Sequence, residues 1–151
     1  MGCGKHFDTG NCVCDILKEI EDAQNDIVEN CCDTSCEQSI SDLLGETDNG
    51  NGLDTVPVLL YCKDGCKPFK GFGAHPRNIE KVRGSFYFRV KHVDDDCCAT
   101  LELLREFGDD DNPKNPVDQQ TGKLRATGIC ITVDLNCFCH VTCLPAINAF
   151  D

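Results

Sequence analysis

Thiols are the residues of this chain that could do chemistry. There are 14 cysteines in 151 residues, at positions 3, 12, 14, 31, 32, 36, 62, 66, 97, 98, 130, 137, 139 and 143. Such a density signals a disulfide scaffold or a metal protein. The densest stretch runs from Ile129 to Leu144 and holds Cys130, Cys137, Cys139 and Cys143. There Ile129, Ile131, Val133 and Leu135 alternate with Cys130, Thr132, Asp134 and Asn136, the pattern of a half-buried strand. If that extended phase continues, Cys137, Cys139 and Cys143 share the apolar face. Thiols so placed can be core filler, disulfide halves or metal ligands.

Zinc needs several thiolates or imidazoles converging tetrahedrally, usually through short knuckles. Cys62-x3-Cys66 and Cys139-x3-Cys143 beside His140 fit that pattern loosely, and no pair of Cys-x2-Cys knuckles is present. Cys62 and Cys66 are also one residue too far apart for a thioredoxin-type redox motif. His6, His75, His92 and His140 lie in no nucleophile-elbow, His-Glu-x-x-His or Gly-rich phosphate motif. The Asp94-Asp95-Asp96 run lacks the glycine and distal glutamate of an EF-hand loop and reads as a solvated turn. The expectation is therefore no catalytic residue, no metal site and no cofactor.

Composition narrows the partners. Formal net charge is −12, with 26 acidic and 14 Lys or Arg residues. With no basic cluster, nucleic acid and anionic membranes are poor partners. Residues 1–10 contain no apolar stretch of the secretory kind, and no apolar run is long enough to span a bilayer. A cysteine-rich composition without a secretion signal is a contradiction that the function must explain.

The elements that would position these thiols follow from periodicity. Residues 1–10 read as a flexible arm. From a capping Asn11, the residues Val13, Ile16, Leu17, Ile20, Ala23, Ile27 and Cys31 form the stripe of an amphipathic helix of about five turns. The stripe is read as facing the chain's own domain. Adjacent Cys31 and Cys32 should seek different partners. Ser39–Leu44 suggests a further helical turn, which completes a helical segment over 11–44, and 45–54 is a polar, Gly-rich linker.

Strands follow over 55–151: Thr55–Tyr61, a hairpin turn at Asp64-Gly65 leading into Pro68–Phe72, Ser85–Val90, Cys97–Leu104 and the final pair. Gly108–Lys123 reads as an acidic surface loop. The fold expected is mainly β (α+β): an N-terminal helix followed by a small antiparallel sandwich or barrel. At the hairpin, a three-residue loop makes Cys62 and Cys66 face each other, whereas a two-residue Asp64-Gly65 turn puts Cys62 opposite Lys67. A Cys62–Cys66 disulfide is the expectation, because the two cysteines occur together.

Two blocks carry a resemblance. Val90-Lys91-His92-Val93-Asp94-Asp95-Asp96-Cys97-Cys98-Ala99-Thr100-Leu101 and Ile129–Leu144 are similar to the signature blocks of the CotY/CotZ/ExsY-type proteins. These are cysteine-rich morphogenetic proteins of the outer spore coat, crust and exosporium. The Gly10-Asn11-Cys12-Val13-Cys14 opening and the Phe86–Val90 strand also match, while Cys62, Cys66 and the loops 45–54 and 108–123 stand outside the pattern.

The resemblance implies a structural protein, made in the mother-cell cytosol without a signal peptide. On the spore surface it would self-assemble into two-dimensional, typically hexagonal, disulfide-reinforced sheets. Its partners would be copies of itself, as a hexamer within the sheet, and other coat or exosporium proteins. Late oxidation resolves the compartment contradiction. Cys3, Cys12 and Cys14, on the segment least tied down, are then the candidates for intermolecular disulfides, together with Cys31, Cys32 and Cys36. Cys62, Cys66, Cys97, Cys98, Cys130, Cys137, Cys139 and Cys143 are the candidates for intramolecular disulfides or buried thiols. The alternative is a cytosolic zinc-binding module, which predicts stoichiometric zinc and a small soluble particle.

Overall fold

Alternation of apolar and polar residues over the last two-thirds of the chain builds one curled antiparallel sheet. The computed structural model describes residues 12–27, 35–45 and 52–150. It divides into two compact units, Met1–Cys32 and Asp33–Asp151. The first contains helix α1 (Cys12–Ile27), which carries the Val13, Ile16, Leu17 and Ile20 stripe. The expected N-cap Asn11, with Cys3, Cys31 and Cys32, lies outside the described residues.

The second unit opens with helix α2 (Cys36–Leu44). Its ends obey ordinary capping chemistry. The Ser35 hydroxyl accepts from the Gln38 amide at 3.1 Å, and Gly45 closes the helix in the left-handed conformation at φ 70°. Seven strands follow: β1 (Val58–Cys62), β2 (Gly71–His75), β3 (Asn78–Ser85), β4 (Phe88–Val93), β5 (Cys98–Glu106), β6 (Leu124–Asp134) and β7 (Phe138–Cys143). Five form a sheet of order β6-β5-β4-β1-β7, and β2 and β3 form a separate hairpin.

The two outer strands of that sheet, β6 and β7, are joined only by a 3-10 turn, Leu135–Cys137. Laid flat, five strands would separate the outer two by about 19 Å. Four Cα steps from Asp134 to Phe138 reach at most about 15 Å. The sheet must therefore curl, and the turn bridges across its end. The Leu135 amide donates to the Cys97 carbonyl and the Lys63 amide to the Cys137 carbonyl, both at 2.8 Å.

Each face of the sheet has its own core. Val58, Leu60, Phe88, Ala99, Leu101, Leu103 and Ile129 fill one, with Phe69 and Phe138 packed against it. Leu59, Phe86, Tyr87, Leu104, Leu124 and Ala149 fill the other. The β2–β3 hairpin covers the first face. It can approach because Gly71 and Gly73 have no side chains: a Cβ at Gly71 would lie 2.6 Å from Ile131 Cδ1 and 2.8 Å from Phe88 Cε1. This hairpin is absent from the sequence reading, since a Gly-rich, polar segment has no strand signature.

The second face is covered by the loop 107–123 and the C-terminal residues. The loop was expected at the surface, yet Asp109 and Gln119 within it are buried. The Gln119 side chain accepts from the Phe86 amide at 2.9 Å and donates to Ser85 Oγ and the Leu104 carbonyl. Buried Arg105 pairs with Asp109 at 3.0 Å and donates to the Gly84 carbonyl. These bonds satisfy backbone groups that the sheet leaves unpaired.

Candidate functional site: a thiol-lined end of the sheet

The 3-10 turn fixes where the thiols go. β6 ends beside the start of β5, and β1 ends beside the start of β7. The turn joins these two places, with the Leu135 amide on the Cys97 carbonyl and the Lys63 amide on the Cys137 carbonyl. Around it gather Cys62, Cys66, Cys97, Cys98, Cys137 and Cys139, which are distant in sequence. All six are unbridged, and four of them (Cys66, Cys97, Cys137 and Cys139) are exposed. Carboxylates are interleaved with them. Asp94 Oδ1 accepts from the amides of Asp96 and Cys98, both at 2.9 Å, which holds the β4–β5 turn. Asp134 Oδ1 accepts from the Asn136 amide and caps the 3-10 turn.

Two thiols meet here. Cys66 Sγ lies 4.0 Å from Cys139 Sγ, and the Cys139 thiol also donates to the Cys62 carbonyl at 3.5 Å. Both residues occupy irregular backbone. In the β1–β7 ladder Tyr61 pairs with His140 and Cys62 with Phe138, so Cys139 is the extra residue of a bulge. A bulge re-aims a side chain. Cys66 takes the left-handed conformation at φ 51°, as Cys97 does at φ 63°. L-residues other than Asn and Asp rarely adopt it.

Two thiols of the cluster, Cys98 and Cys139, are held in the protonated form by their surroundings. Partial desolvation, then the carboxylates of Asp94 and Asp134, push the Cys98 thiol above its usual range. Desolvation, then the hydrogen bond with Cys66, does the same for Cys139. Since the thiolate is the reactive species, both are slow nucleophiles at neutral pH.

Several expectations need correction. Cys36, placed among the intermolecular candidates, is bonded to Cys143 across 107 residues of the same chain, and Cys12 is also disulfide-bonded. The expected Cys62–Cys66 bridge is absent. The Cys62 amide donates to the Lys67 carbonyl at 2.9 Å, so Cys62 lies opposite Lys67 and Cys66 swings towards β7. Burial was the wrong expectation for Cys66, Cys97, Cys130, Cys137 and Cys139, which are exposed. The 3-10 turn and the bulge break the extended phase, so Phe138 takes the core position and Cys139 turns outwards. Cys130 sits on the outer strand β6, opposite Glu102 and on the solvent side of its alternation. Cys14 is half-buried on α1. The juxtaposition of Cys66 and Cys139 is a signal that sequence spacing could not supply.

No group of three or more His, Cys, Asp or Glu side chains among the described residues is arranged to hold a metal ion. No helix among them is long and apolar enough to cross a membrane.

Comparison with known proteins carries the same stamp. The family model described as Spore coat protein Z matches residues 1–146. The chain belongs to the Spore coat protein Z family. It is 33% identical over 148 residues to Spore coat protein Z of Bacillus subtilis (strain 168), covering 90% of each chain. No solved structure matches.

Proposed function

We propose that this protein is a structural component of the outer spore coat, crust or exosporium, not an enzyme. It assembles with copies of itself into a two-dimensional, hexagonal array that disulfides later reinforce. The observation that carries this reading is whole-chain membership of the Spore coat protein Z family. The exposed thiols support the second half of it. Exposed thiols stay unbridged in a reducing cytosol and can pair between chains once the surroundings become oxidising. A protein that assembles first and is oxidised later needs them.

The physical requirements of a sheet are modest. One repeated heterologous contact closes a ring, and a second contact type extends it in two dimensions. Each can be weak, because multivalent attachment multiplies them. Strands β6 and β7 have no strand partner on their outer sides among the described residues, and beyond the Ala126 amide, which donates to the Ala149 carbonyl, they offer backbone groups to a neighbour. Disulfides then hold the lattice against the self-repulsion of a −12 chain. Cys3, Cys14, Cys31 and Cys32 stay candidates for these links, and the exposed Cys97, Cys130 and Cys137 join them. In this reading the chain is made in the mother-cell cytosol and works at the spore surface beside other coat or exosporium proteins.

Light scattering of the purified full chain, with and without reductant, tests this. Large assemblies that survive heating in detergent only when oxidised are expected. A monodisperse monomer at high concentration under oxidising conditions overturns the reading.

A further inference from the structure

We propose that Cys66 and Cys139 are a redox-active pair, the seat of a reversible intrachain disulfide that staples the Lys63–Cys66 turn onto the outer strand β7. This goes beyond a general capacity for cross-linking: it assigns two thiols to an internal bond and withdraws them from links between chains. Three independent observations converge on the pair. The sulfurs are 4.0 Å apart and both residues are exposed. Cys139 is the extra residue of a bulge in the β1–β7 ladder. Cys66 holds a left-handed conformation that a cysteine seldom takes.

Neither distortion is needed to close the hairpin, since Gly65 at φ 79° already supplies a turn residue suited to positive φ. Together they aim two side chains at one point. Reaching the bonded distance of about 2.05 Å requires the sulfurs to approach by roughly 2 Å, within the range of side-chain rotation on an exposed turn. A three-centre alternative, with zinc held by Cys62, Cys66 and Cys139, lacks support: these residues are not arranged as a metal-holding group.

The chemistry balances by exchange with a small-molecule disulfide. Cys66, on the open turn, attacks as the thiolate. The S–S bond of the small disulfide breaks, and its second sulfur leaves and takes up the proton. Cys139 gives its proton to solvent and attacks the Cys66 sulfur of the mixed disulfide, which expels the second small thiol. Two protein S–H bonds and one small disulfide become one protein S–S bond and two small thiols. The Cys62 carbonyl, which accepts from the Cys139 thiol, holds that side chain in line until the second step.

The test uses the unassembled full-length protein, so its failure is distinguishable from a failure to assemble. The chain is equilibrated with mixtures of reduced glutathione and glutathione disulfide, alkylated, and mapped by non-reducing peptide mass spectrometry. As the disulfide fraction rises, two alkylatable thiols per chain should be lost together, with Cys66 and Cys139 peptides joined in the monomer. In C66S the Cys139 thiol should stay alkylatable at the same poise, in C139S Cys66 should be found free or as its mixed disulfide with glutathione and joined to no other peptide, and C62S should keep the link. Linkage of either cysteine to Cys62, to Cys137 or to another chain overturns the proposal. So does full alkylation of both after Cys97 and Cys137 have oxidised. Because the wild-type map alone can give these results, misfolding of a variant does not rescue the idea.

Discussion

Cys36, the first residue of α2, is covalently joined to Cys143, the last residue of β7. A few residues away Ser39 Oγ donates to the Leu144 carbonyl at 2.8 Å. The helix is thus fixed to the end of β7 away from Cys139. Closing a loop of this length removes unfolded-chain entropy worth up to about 4–5 kcal/mol. The double variant C36S/C143S should lower the urea midpoint accordingly, and C36S alone nearly as much. An unchanged midpoint for the double variant would show that the bond contributes nothing.

Close approach at Gly71 predicts a second loss. A methyl group there meets Ile131 and the fully buried Phe88 ring, so Gly71→Ala should destabilise by about 1–3 kcal/mol through overpacking. Thermal unfolding followed by circular dichroism reads this. Gly122→Ala is the comparison, because the nearest atom its added Cβ would meet is Glu106 Oε2 at 4.0 Å.

Buried and exposed ion pairs should differ sharply. Arg105 and Asp109 are almost fully buried, whereas Asp110 pairs with Lys81 in the open. Arg105→Met leaves the Asp109 carboxylate and the Gly84 carbonyl without their partner and should cost about 3–5 kcal/mol. Lys81→Ala should cost less than about 1 kcal/mol. Denaturant titration of both variants checks the contrast.

Protonation of the thiols gives a pH-dependent prediction. Desolvation first, then neighbouring groups, raises Cys98 and Cys139. The unfolded chain therefore loses these protons first, near the ordinary thiol value of about 8.5. Whatever stability they contribute is fully present below that value and is lost as pH rises through the folded one. Iodoacetamide should alkylate both residues more slowly in the native protein than in urea at about pH 8, the gap narrowing as pH rises. A gap that does not change with pH would point to steric shielding instead.

How much of this was legible in the sequence depends on whether the governing contact is local. Period-3.6 spacing gives α1, and the turn read at Ser39–Leu44 is the larger part of α2, which starts three residues earlier at Cys36 behind the Ser35 cap. Period-2 alternation gives β6, whose second half has one face towards solvent, and β5, although its residues 101–105 are buried on both faces. The β2–β3 hairpin was missed because its glycines answer to Ile129, Ile131 and Phe88, contacts that no local pattern records. The thiols were misjudged for the same reason. A three-residue turn and one bulge decide which way Cys137 and Cys139 point, and a period-2 reading carries the wrong phase through both. Family resemblance, by contrast, was carried by contiguous blocks and extends over residues 1–146.

Electron microscopy of the purified full chain decides whether the protein builds a lattice. Extended, ordered two-dimensional arrays with a hexagonal repeat are expected. They should form with or without reductant, and those assembled in oxidant should keep their order in denaturant until reductant is added. Single dispersed particles under both conditions, however concentrated the protein, would contradict it.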